Sequence, residues 1–210
     1  SCTSKPTRVH QDSMLSSVLR LLLSAFLLPD LCRRWGLPER VPVAGGAGDN
    51  AASAVGMGLV RPGQGFVSLG TSGVVFVSGS RFAPNPAQGL HAFCHALPGR
   101  WHQMSVMLSA ASALTWAARQ LAFEDEASLL ACAAQLPMQE RSTAPLFLPY
   151  LSGERTPHNQ ALATACWFGL TAAHGREALA YAVAEGVAFG LRDGLQTLAT
   201  PEAMMVFGVL

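Results

Sequence analysis

The sequence predicts an α/β domain, and three observations support this class. The apolar segment 41–44 leads through a glycine-rich acidic loop into an alanine-rich segment, a pattern typical of strand, loop and helix. Two β-rich runs flank a Gly-Thr-Ser-Gly connection at residues 70–73. A long amphipathic helix over residues 175–198 precedes a last apolar strand at 204–210. Open α/β sheets bind ligands at the carboxyl ends of strands, so the acidic loop is the first candidate site.

The composition is apolar and nearly neutral. Half of the 210 residues are hydrophobic and 13% are charged, against about 25% charged in an average globular chain. This indicates an incomplete domain or a large buried interface. The net charge of +1 without a dense basic run excludes the usual electrostatic signature of nucleic-acid binding. The five widely spaced cysteines form no C-x-x-C pair, which favours free thiols in a reducing compartment such as the cytoplasm.

The amino-terminal part contains one long apolar segment. Residues 14–28 predict a helix that Pro29 ends, and residues 31–35 predict a further turn closed by Gly36. A signal peptide has a similar pattern, but Arg20 interrupts this one and no small-residue cleavage site follows. The segment is also too short to span a bilayer. An amphipathic helix is therefore the favoured interpretation.

The acidic loop, G-G-A-G-D-N-A-A over residues 45–52, contains a single carboxylate, Asp49. The preceding segment 41–44 is predicted to be a short buried strand, and residues 51–59 a helix whose Gly56 and Gly58 indicate close packing. Asp49 has two interpretations. It either caps this helix, as Asp often does, or it reaches a ligand that the small neighbours allow to approach. Local features alone favour capping.

The Gly-Thr-Ser-Gly connection also has two interpretations. Residues 66–69 and 74–77 predict a β-hairpin around it. Successive backbone N–H groups in a glycine-rich turn bind anions, and the hydroxyls of Thr71 and Ser72 would add to a phosphate cradle. An ordinary tight turn has the same composition, and a lone motif of this kind favours the turn.

Histidines are concentrated on the next pair of strands, predicted at 90–97 and 101–108. Alternation places His91, Phe93 and His95 on one face, and His102 lies on the neighbouring strand. A metal cluster is one interpretation. No carboxylate or cysteine completes a ligand set at a known spacing, so buried, hydrogen-bonded histidines are favoured.

The remaining elements are mainly helical. Residues 109–121 predict a helix capped by Ser109 or Ser112, residues 125–136 a helix ended by Pro137, and residues 146–151 a short strand. A polar loop follows at 152–159. Its Arg155 either binds phosphate or faces Glu154 or solvent, and the second interpretation is favoured. The helix over 175–198 has Gly186, Gly190 and Gly194 in its apolar stripe, which predicts very close packing against another backbone.

Five motifs in this order resemble one family. They are G-A-G-D-N-A-A, S-L-G-T-S-G, H-A-F-C-H-A-L-P-G-R-W-H-Q-M-S-V-M-L-S-A-A-S, F-L-P-Y-L-S-G-E-R-T-P-H-N and A-E-G-V-A-F. Together they resemble the carboxy-terminal domain of the xylulokinases, in the FGGY family of carbohydrate kinases. The likeness runs from about Leu31 to Gly208. It divides the chain into an unassigned helical or disordered leader, 1–30, and a partial kinase carboxy-terminal domain, 31–210.

The resemblance implies a ribonuclease H-like, actin-like ATPase fold with a cleft between two domains. It implies an ATP-dependent sugar kinase that uses ATP and Mg²⁺ and converts D-xylulose to D-xylulose 5-phosphate. The family's catalytic acid falls on Asp49, the general base, which contacts the sugar together with Asn50. Its phosphate hairpin falls on Gly70, Thr71 and Ser72, and its nucleotide-contacting helix on Ala110 and Thr115. It assigns no metal ligand to this chain.

The sequence also departs from the family. An amino-terminal domain and the adenosine-binding loop beyond Gly208 are both absent, so we expect this chain alone to be inactive. Gln160, Ala161 and Ala165 replace the family's usual residues in the polar loop. Two alternatives stay open: a kinase for another ketose, polyol or sugar acid, and a non-catalytic nucleotide-binding module. A homodimer or the missing domain is expected to cover the exposed face, with no nucleic-acid or membrane partner.

Overall fold

The fold is built from nine strands and six helices in the part of the chain that the computed structural model describes, residues 23–198 and 203–208. The strands are β1 (Leu23–Phe26), β2 (Pro42–Ala44), β3 (Gln64–Leu69), β4 (Gly73–Gly79), β5 (His91–Cys94), β6 (Trp101–Met107), β7 (Leu146–Leu148), β8 (Cys166–Phe168) and β9 (Ala203–Gly208). The helices are α1 (Pro29–Trp35), α2 (Asp49–Gly56), α3 (Ala111–Gln120), α4 (Glu126–Ala134), α5 (Met138–Arg141) and α6 (Arg176–Gln196).

The central sheet is mixed. Its five strands lie in the order β5-β6-β4-β3-β9, and β9 runs parallel to β3 while the other neighbours are antiparallel. The predicted hairpin is confirmed, because Leu69 of β3 pairs with Gly73 of β4 across the connection. The predicted histidine-bearing strands also pair as expected, although β5 is shorter than the predicted segment 90–97.

Both faces of the sheet are covered by helices, as the α/β prediction requires. Phe76 of β4 packs with Ala54 of α2 on one face, and its neighbours Val75 and Val77 pack with Leu198, just beyond α6, on the other. Successive strand residues point to opposite faces, so one strand supplies both layers. This alternation gives a three-layer arrangement in which α2 and α6 lie on opposite sides of the sheet.

The long helix α6 confirms the prediction for residues 175–198 and its glycine stripe. A Cβ atom at Gly190 would lie 2.9 Å from Met107 Cε, and one at Gly194 would lie 2.6 Å from Ser105 Oγ. A Cβ at Gly186 would collide with the carbonyl oxygen of Phe147. The predicted packing against another backbone is thus present at Gly186, whereas Gly190 and Gly194 lie against side chains of β6.

The predicted helix over residues 14–28 is wrong where it falls on described residues, and residues 14–22 lie outside them. Residues 23–26 form strand β1, which pairs antiparallel with β2. Pro29 does not end a helix but begins α1, at the first-turn position that proline favours. Gly36 closes α1 with a φ of 66°, as predicted. The division of the chain at residue 30 stays a prediction.

Several local expectations need correction. The strand at residues 42–44 exists, but Val43 is exposed rather than buried. Gly56 and Gly58 contact nothing close, so they do not indicate tight packing within the described residues. Neither Ser109 nor Ser112 caps α3, whose N-cap is Ala110. Ser112 Oγ instead donates a hydrogen bond to the Thr71 carbonyl.

The other predicted elements are present with shifted ends. Helix α4 lies within the predicted segment 125–136 and begins at an Asp125 capping box shared with Ser128. The strand predicted at 146–151 ends at Leu148, and it pairs with β8, which the sequence did not predict. The four described cysteines, Cys32, Cys94, Cys132 and Cys166, are free thiols.

Candidate functional site

The acidic loop places Asp49 at the start of α2. Gly48 is the N-cap and Asp49 is the first helical residue, so the capping interpretation is wrong. Asp49 is exposed, and its Oδ1 accepts hydrogen bonds from the Asn50 backbone N–H at 2.7 Å and from Asn50 Nδ2 at 3.1 Å. The carboxylate thus lies at the positive end of the dipole of α2.

Asp49 and Asn50 line a cleft of about 430 Å³, which we call the acid cleft. The rest of its wall comes from α2 and from strands β5 and β6. The lining residues are Gly48, Asp49, Asn50, Ala51, Phe93, Cys94, His102 and Met104. One wall is therefore apolar and aromatic, whereas the other presents a carboxylate and an amide.

The histidines beside this cleft are structural in character. His95 Nδ1 accepts from the Leu97 N–H at 3.1 Å, so Nε2 carries the proton and donates to Ser78 Oγ at 3.3 Å. Ser78 in turn donates to the Leu59 carbonyl at 2.7 Å. Burial, with the Arg100 charge, lowers the pKa of His95 and keeps its ring neutral. The hydrogen-bonded interpretation of this histidine is confirmed.

His102 is more deeply enclosed. It is 5% exposed, and its ring stacks on Phe76 with 4.5 Å between centroids. Burial and the neighbouring His95 lower the pKa of His102 to about 4. Its Nδ1 has no hydrogen-bond partner among the described residues. In this described part, no group of three or more His, Cys, Asp or Glu residues could hold a metal ion.

A second cleft, of about 450 Å³, lies at the connection between β3 and β4. We call it the hairpin cleft. Its walls come from this connection, from α3 and from the start of α4. The lining residues are Gly70, Thr71, Ala111, Ser112, Thr115, Trp116, Arg119 and Glu126.

The hairpin connection is held by its carbonyl groups. Ala110 N–H donates to the Thr71 carbonyl at 3.1 Å, Ala111 N–H donates to the Gly70 carbonyl at 2.9 Å, and Gly70 N–H donates to the Ser72 carbonyl at 3.1 Å. Within the described residues, the N–H groups of Thr71 and Ser72 donate to no protein acceptor. Two adjacent free N–H groups, fixed from behind, form a donor set that suits an anion such as a phosphate.

The far wall of the hairpin cleft carries charge. Thr115 Oγ1 donates a short hydrogen bond to Glu126 Oε1, and this bond lowers the pKa of the Glu126 carboxyl. Arg119, one turn after Thr115 on α3, adds a guanidinium to the same wall. The cleft therefore combines hydroxyls, the free N–H group of Thr71, one cation and one anion, a set that can bind the polar parts of a nucleotide.

The structure divides the predicted site residues between the two clefts. Gly70, Thr71 and Thr115 line the hairpin cleft, and Asp49 and Asn50 line the acid cleft. Neither Ser72 nor Ala110 is in the cleft lining. Ala110 is fully buried, so it acts on the hairpin only through its backbone N–H.

Sequence reasoning missed part of the hairpin cleft. Trp116 and Arg119 follow Thr115 on the exposed side of α3, and the four-residue spacing of Thr115 and Arg119 was the available signal. Glu126 had no such signal, because its contact with Thr115 depends on how α4 packs against α3.

The polar loop at 152–159 follows the favoured interpretation of Arg155 in its solvent-facing form. Arg155 is exposed, and it forms no salt bridge with Glu154. Glu154 is instead buried, at 3% exposure. Its Oε1 accepts the backbone N–H of Arg155 at 2.7 Å. The solvent-facing alternative for Arg155 therefore fits the structure.

Comparison with known proteins identifies the family. The sequence model for the C-terminal domain of the FGGY family of carbohydrate kinases matches residues 65–208. The chain belongs to the FGGY family of carbohydrate kinases. The predicted fold class, an actin-like ATPase domain with a mixed sheet flanked by helices, is confirmed by this match and by its structural relatives.

Within the family, the chain is similar to several xylulose kinases. It is 50% identical over 177 residues to the xylulose kinase of Escherichia coli (strain K12), an alignment that covers 84% of this chain and 36% of the relative. Its fold is similar to the crystal structure of a "xyloylose kinase" from Brucella ovis, with 46% identity, a TM-score of 0.82, and coverage of 89% of this chain and 39% of the other. A xylulose kinase from Rhodospirillum rubrum gives 30% identity and a TM-score of 0.77 over 88% of this chain and 38% of its own.

The chain thus spans little more than a third of the length of these relatives. A kinase of this family uses ATP and a divalent metal, and the hairpin cleft presents the polar side chains of Thr71, Ser112 and Thr115. None of the described helices has both the length and the apolar character needed to cross a membrane.

Proposed function

We propose that this chain is the carboxy-terminal domain of a sugar kinase that transfers the γ-phosphate of ATP to D-xylulose, giving D-xylulose 5-phosphate. The observation that carries the proposal is the likeness to xylulose kinases at up to 50% identity, combined with an exposed carboxylate at residue 49. The resemblance in the acidic loop places that carboxylate where the family has its catalytic acid. Xylulose is favoured over other ketoses, polyols and sugar acids because relatives at 50% and 48% identity are xylulose kinases.

Asp49 is the proposed general base. Its carboxylate accepts the proton of the sugar hydroxyl while that oxygen forms the new bond to the γ-phosphorus and the bond to ADP breaks. Glycine and alanine neighbours leave the carboxylate accessible, and Asn50 holds it in place through two hydrogen bonds while its amide faces the same cleft. Both residues are proposed to contact the sugar.

The hairpin is the proposed phosphate site. The free N–H groups of Thr71 and Ser72, with the Thr71 hydroxyl, suit the terminal phosphates, and Gly70 allows the close approach. Thr115 contributes to the nucleotide site from α3. The backbone N–H of Ala110 holds the hairpin through its hydrogen bond to the Thr71 carbonyl. A bound divalent cation, which we propose to be Mg²⁺, would neutralise charge on the phosphates. Catalysis by these residues is mainly positioning and charge stabilisation.

A second domain is required to complete the site. The acid cleft is open on the described chain, and the chain covers 36% of its Escherichia coli relative. We propose that an amino-terminal domain, or a second copy of the protein, covers the exposed apolar side chains, among them Phe93 beside Asp49. The free cysteines support a cytoplasmic location.

Substitution of Asp49 tests the proposed base. In the full-length protein that carries this chain, Asp49→Ala is expected to lower kcat by roughly 100- to 10,000-fold, the contribution typical of a general base. Nucleotide affinity is expected to stay close to that of the unmodified protein. The measurements are ATP- and xylulose-dependent ADP release and nucleotide titration by calorimetry.

Asp30→Asn is the matched control, because Asp30 is an exposed helical acid paired only with Arg33. It should leave both measurements unchanged. Near-normal turnover in the Asp49→Ala protein would show that Asp49 is not the general base. Assays of the unmodified protein with a panel of ketoses, polyols and sugar acids identify the sugar substrate.

A further inference from the structure

The polar loop contains a buried carboxylate to which the proposed mechanism gives no role. Glu154 is 3% exposed, and its backbone N–H and carbonyl both pair with Gln160, at 2.9 and 2.8 Å. Gly153 beside it has a φ of 76°, and a Cβ there would lie 2.6 Å from the Ala161 carbonyl oxygen. The loop is therefore closed tightly around this side chain, which fixes the position of the carboxylate.

One oxygen of Glu154 accepts two backbone hydrogen bonds. Oε1 accepts the Leu108 N–H at 3.0 Å and the Arg155 N–H at 2.7 Å, whereas Oε2 has no partner among the described residues. Burial raises the pKa of Glu154, and the two N–H donors oppose this effect. Burying a carboxyl group is costly unless its hydrogen bonds are satisfied. A carboxyl group here thus has a specific task, which is to hold the Leu108 backbone.

Leu108 connects Glu154 to the hairpin cleft. It follows the last residue of β6 and precedes the segment 109–111, where the chain turns into α3. Two residues later, Ala110 N–H donates to the Thr71 carbonyl at 3.1 Å, and Ala111 N–H donates to the Gly70 carbonyl at 2.9 Å. A continuous series of hydrogen bonds and backbone therefore runs from Glu154 through Leu108 to the hairpin.

We propose that Glu154 is a positioning residue for the phosphate-binding hairpin, acting through the Leu108–Ala111 backbone on Gly70 and Thr71. The role in phosphate binding rests on the proposed kinase function. The coupling of Glu154 to the hairpin depends only on the hydrogen bonds of Leu108, Ala110 and Ala111. Glu154 does not line the hairpin cleft, so it acts on the nucleotide indirectly.

Thr156 provides a matched control in the same loop. It is 2% exposed, its Oγ1 accepts the Val106 N–H at 3.1 Å and donates to the Gly89 carbonyl at 3.0 Å. Thr156→Val therefore removes two buried hydrogen bonds from the same loop without touching Leu108. A general loosening of the loop would affect both variants alike.

The first measurement is amide hydrogen exchange in the full-length protein. In Glu154→Ala, the amides of Ala110 and Ala111 are expected to exchange at least about tenfold faster, a change in local opening equivalent to about 1.4 kcal/mol. Glu154→Gln keeps the acceptor oxygen and should exchange at nearly the unmodified rate. Thr156→Val should leave these two amides unchanged. Equal acceleration in Glu154→Ala and Thr156→Val would overturn the proposal.

The second measurement is steady-state kinetics. Glu154→Ala is expected to raise the KM for ATP by roughly tenfold and to leave the KM for the sugar unchanged, whereas Glu154→Gln restores the KM for ATP. An equal rise in both KM values would also overturn the proposal. If Glu154→Ala does not fold, Glu154→Asp, which withdraws the carboxylate by one methylene, replaces it in both measurements. An unmodified protein that phosphorylates no sugar would refute the kinase function, while the exchange rates would still decide the coupling.

Discussion

At the scale of single residues, His102 shows how burial controls protonation beside the acid cleft. The ring stacks on Phe76 with 4.5 Å between centroids and contacts Phe93 at a tilt, with 5.7 Å between centroids. Burial and His95 lower the pKa of His102 from 6.5 to about 4. A protonated ring there would be a buried cation without a counter-charge, so the folded state holds the neutral form.

This shift predicts the direction of acid destabilisation. The unfolded chain binds the proton more readily, so the contribution of His102 is fully present above pH 6.5 and is lost as the pH falls toward 4. Between pH 7 and pH 5 the free energy of unfolding is expected to fall by about 2 kcal/mol more in the unmodified chain than in His102→Phe. Urea unfolding at several pH values measures this difference.

If His102→Phe and the unmodified chain lose stability in parallel between pH 7 and pH 5, His102 does not hold its neutral form by burial.

At the scale of elements, α6 depends on glycine where it crosses β7. A Cβ at position 186 would collide with the Phe147 carbonyl, which belongs to backbone and cannot rotate away. Gly186→Ala is therefore expected to lower the free energy of unfolding by about 1–3 kcal/mol, the range for overpacking. Thermal or urea unfolding measures the change.

Gly56, the last residue of α2, is the matched helical control. A Cβ there meets nothing within 4 Å. Gly56→Ala should raise the free energy of unfolding by ~0.5–1 kcal/mol, because alanine reduces the freedom of the unfolded chain. A Gly186→Ala protein as stable as the Gly56→Ala protein would contradict the close packing of α6.

These elements differ in how far the sequence predicts them. The α6 stripe and the hairpin follow from local periodicity and turn composition, which residues 175–198 and 70–73 carry in full. Strand β1 does not follow from its local sequence, because its apolar residues are also typical of a helix. Only its pairing with β2 makes this segment a strand and not a helix. The local sequence pattern is sufficient to predict a helix or a tight turn, whose hydrogen bonds are formed within the element. It is insufficient for a strand that depends on a partner distant in the sequence.

The site follows the same division. Asp49 and the Gly70–Ser72 hairpin are visible as short motifs, and their roles in the family come from the resemblance. The roles of Glu126 and Glu154 cannot be predicted from the sequence, because the fold brings their partners Thr115 and Leu108 into contact with them. Sequence therefore indicates the reactive groups, whereas the groups that hold them depend on tertiary contacts.

At the scale of the whole molecule, we propose that the chemistry needs a second domain beside the described residues. It covers 36% of the Escherichia coli xylulose kinase, and Asp49 is exposed. We expect the purified 210-residue chain to release little or no ADP in the presence of ATP and D-xylulose. Coupled-enzyme measurement of ADP checks this, with the full-length protein as the positive control. Robust turnover by the 210-residue chain alone would refute the requirement for a second domain.

The parallel pairing of β9 with β3 has a consequence for synthesis on the ribosome. β3 emerges early, and its antiparallel neighbour β4 follows at once, but the partner for its other edge is β9, near the end of the domain. That edge has unpaired N–H and C=O groups for most of the domain's translation. The nascent chain therefore exposes an unpaired strand edge, which is a site for aggregation, until β9 leaves the exit tunnel.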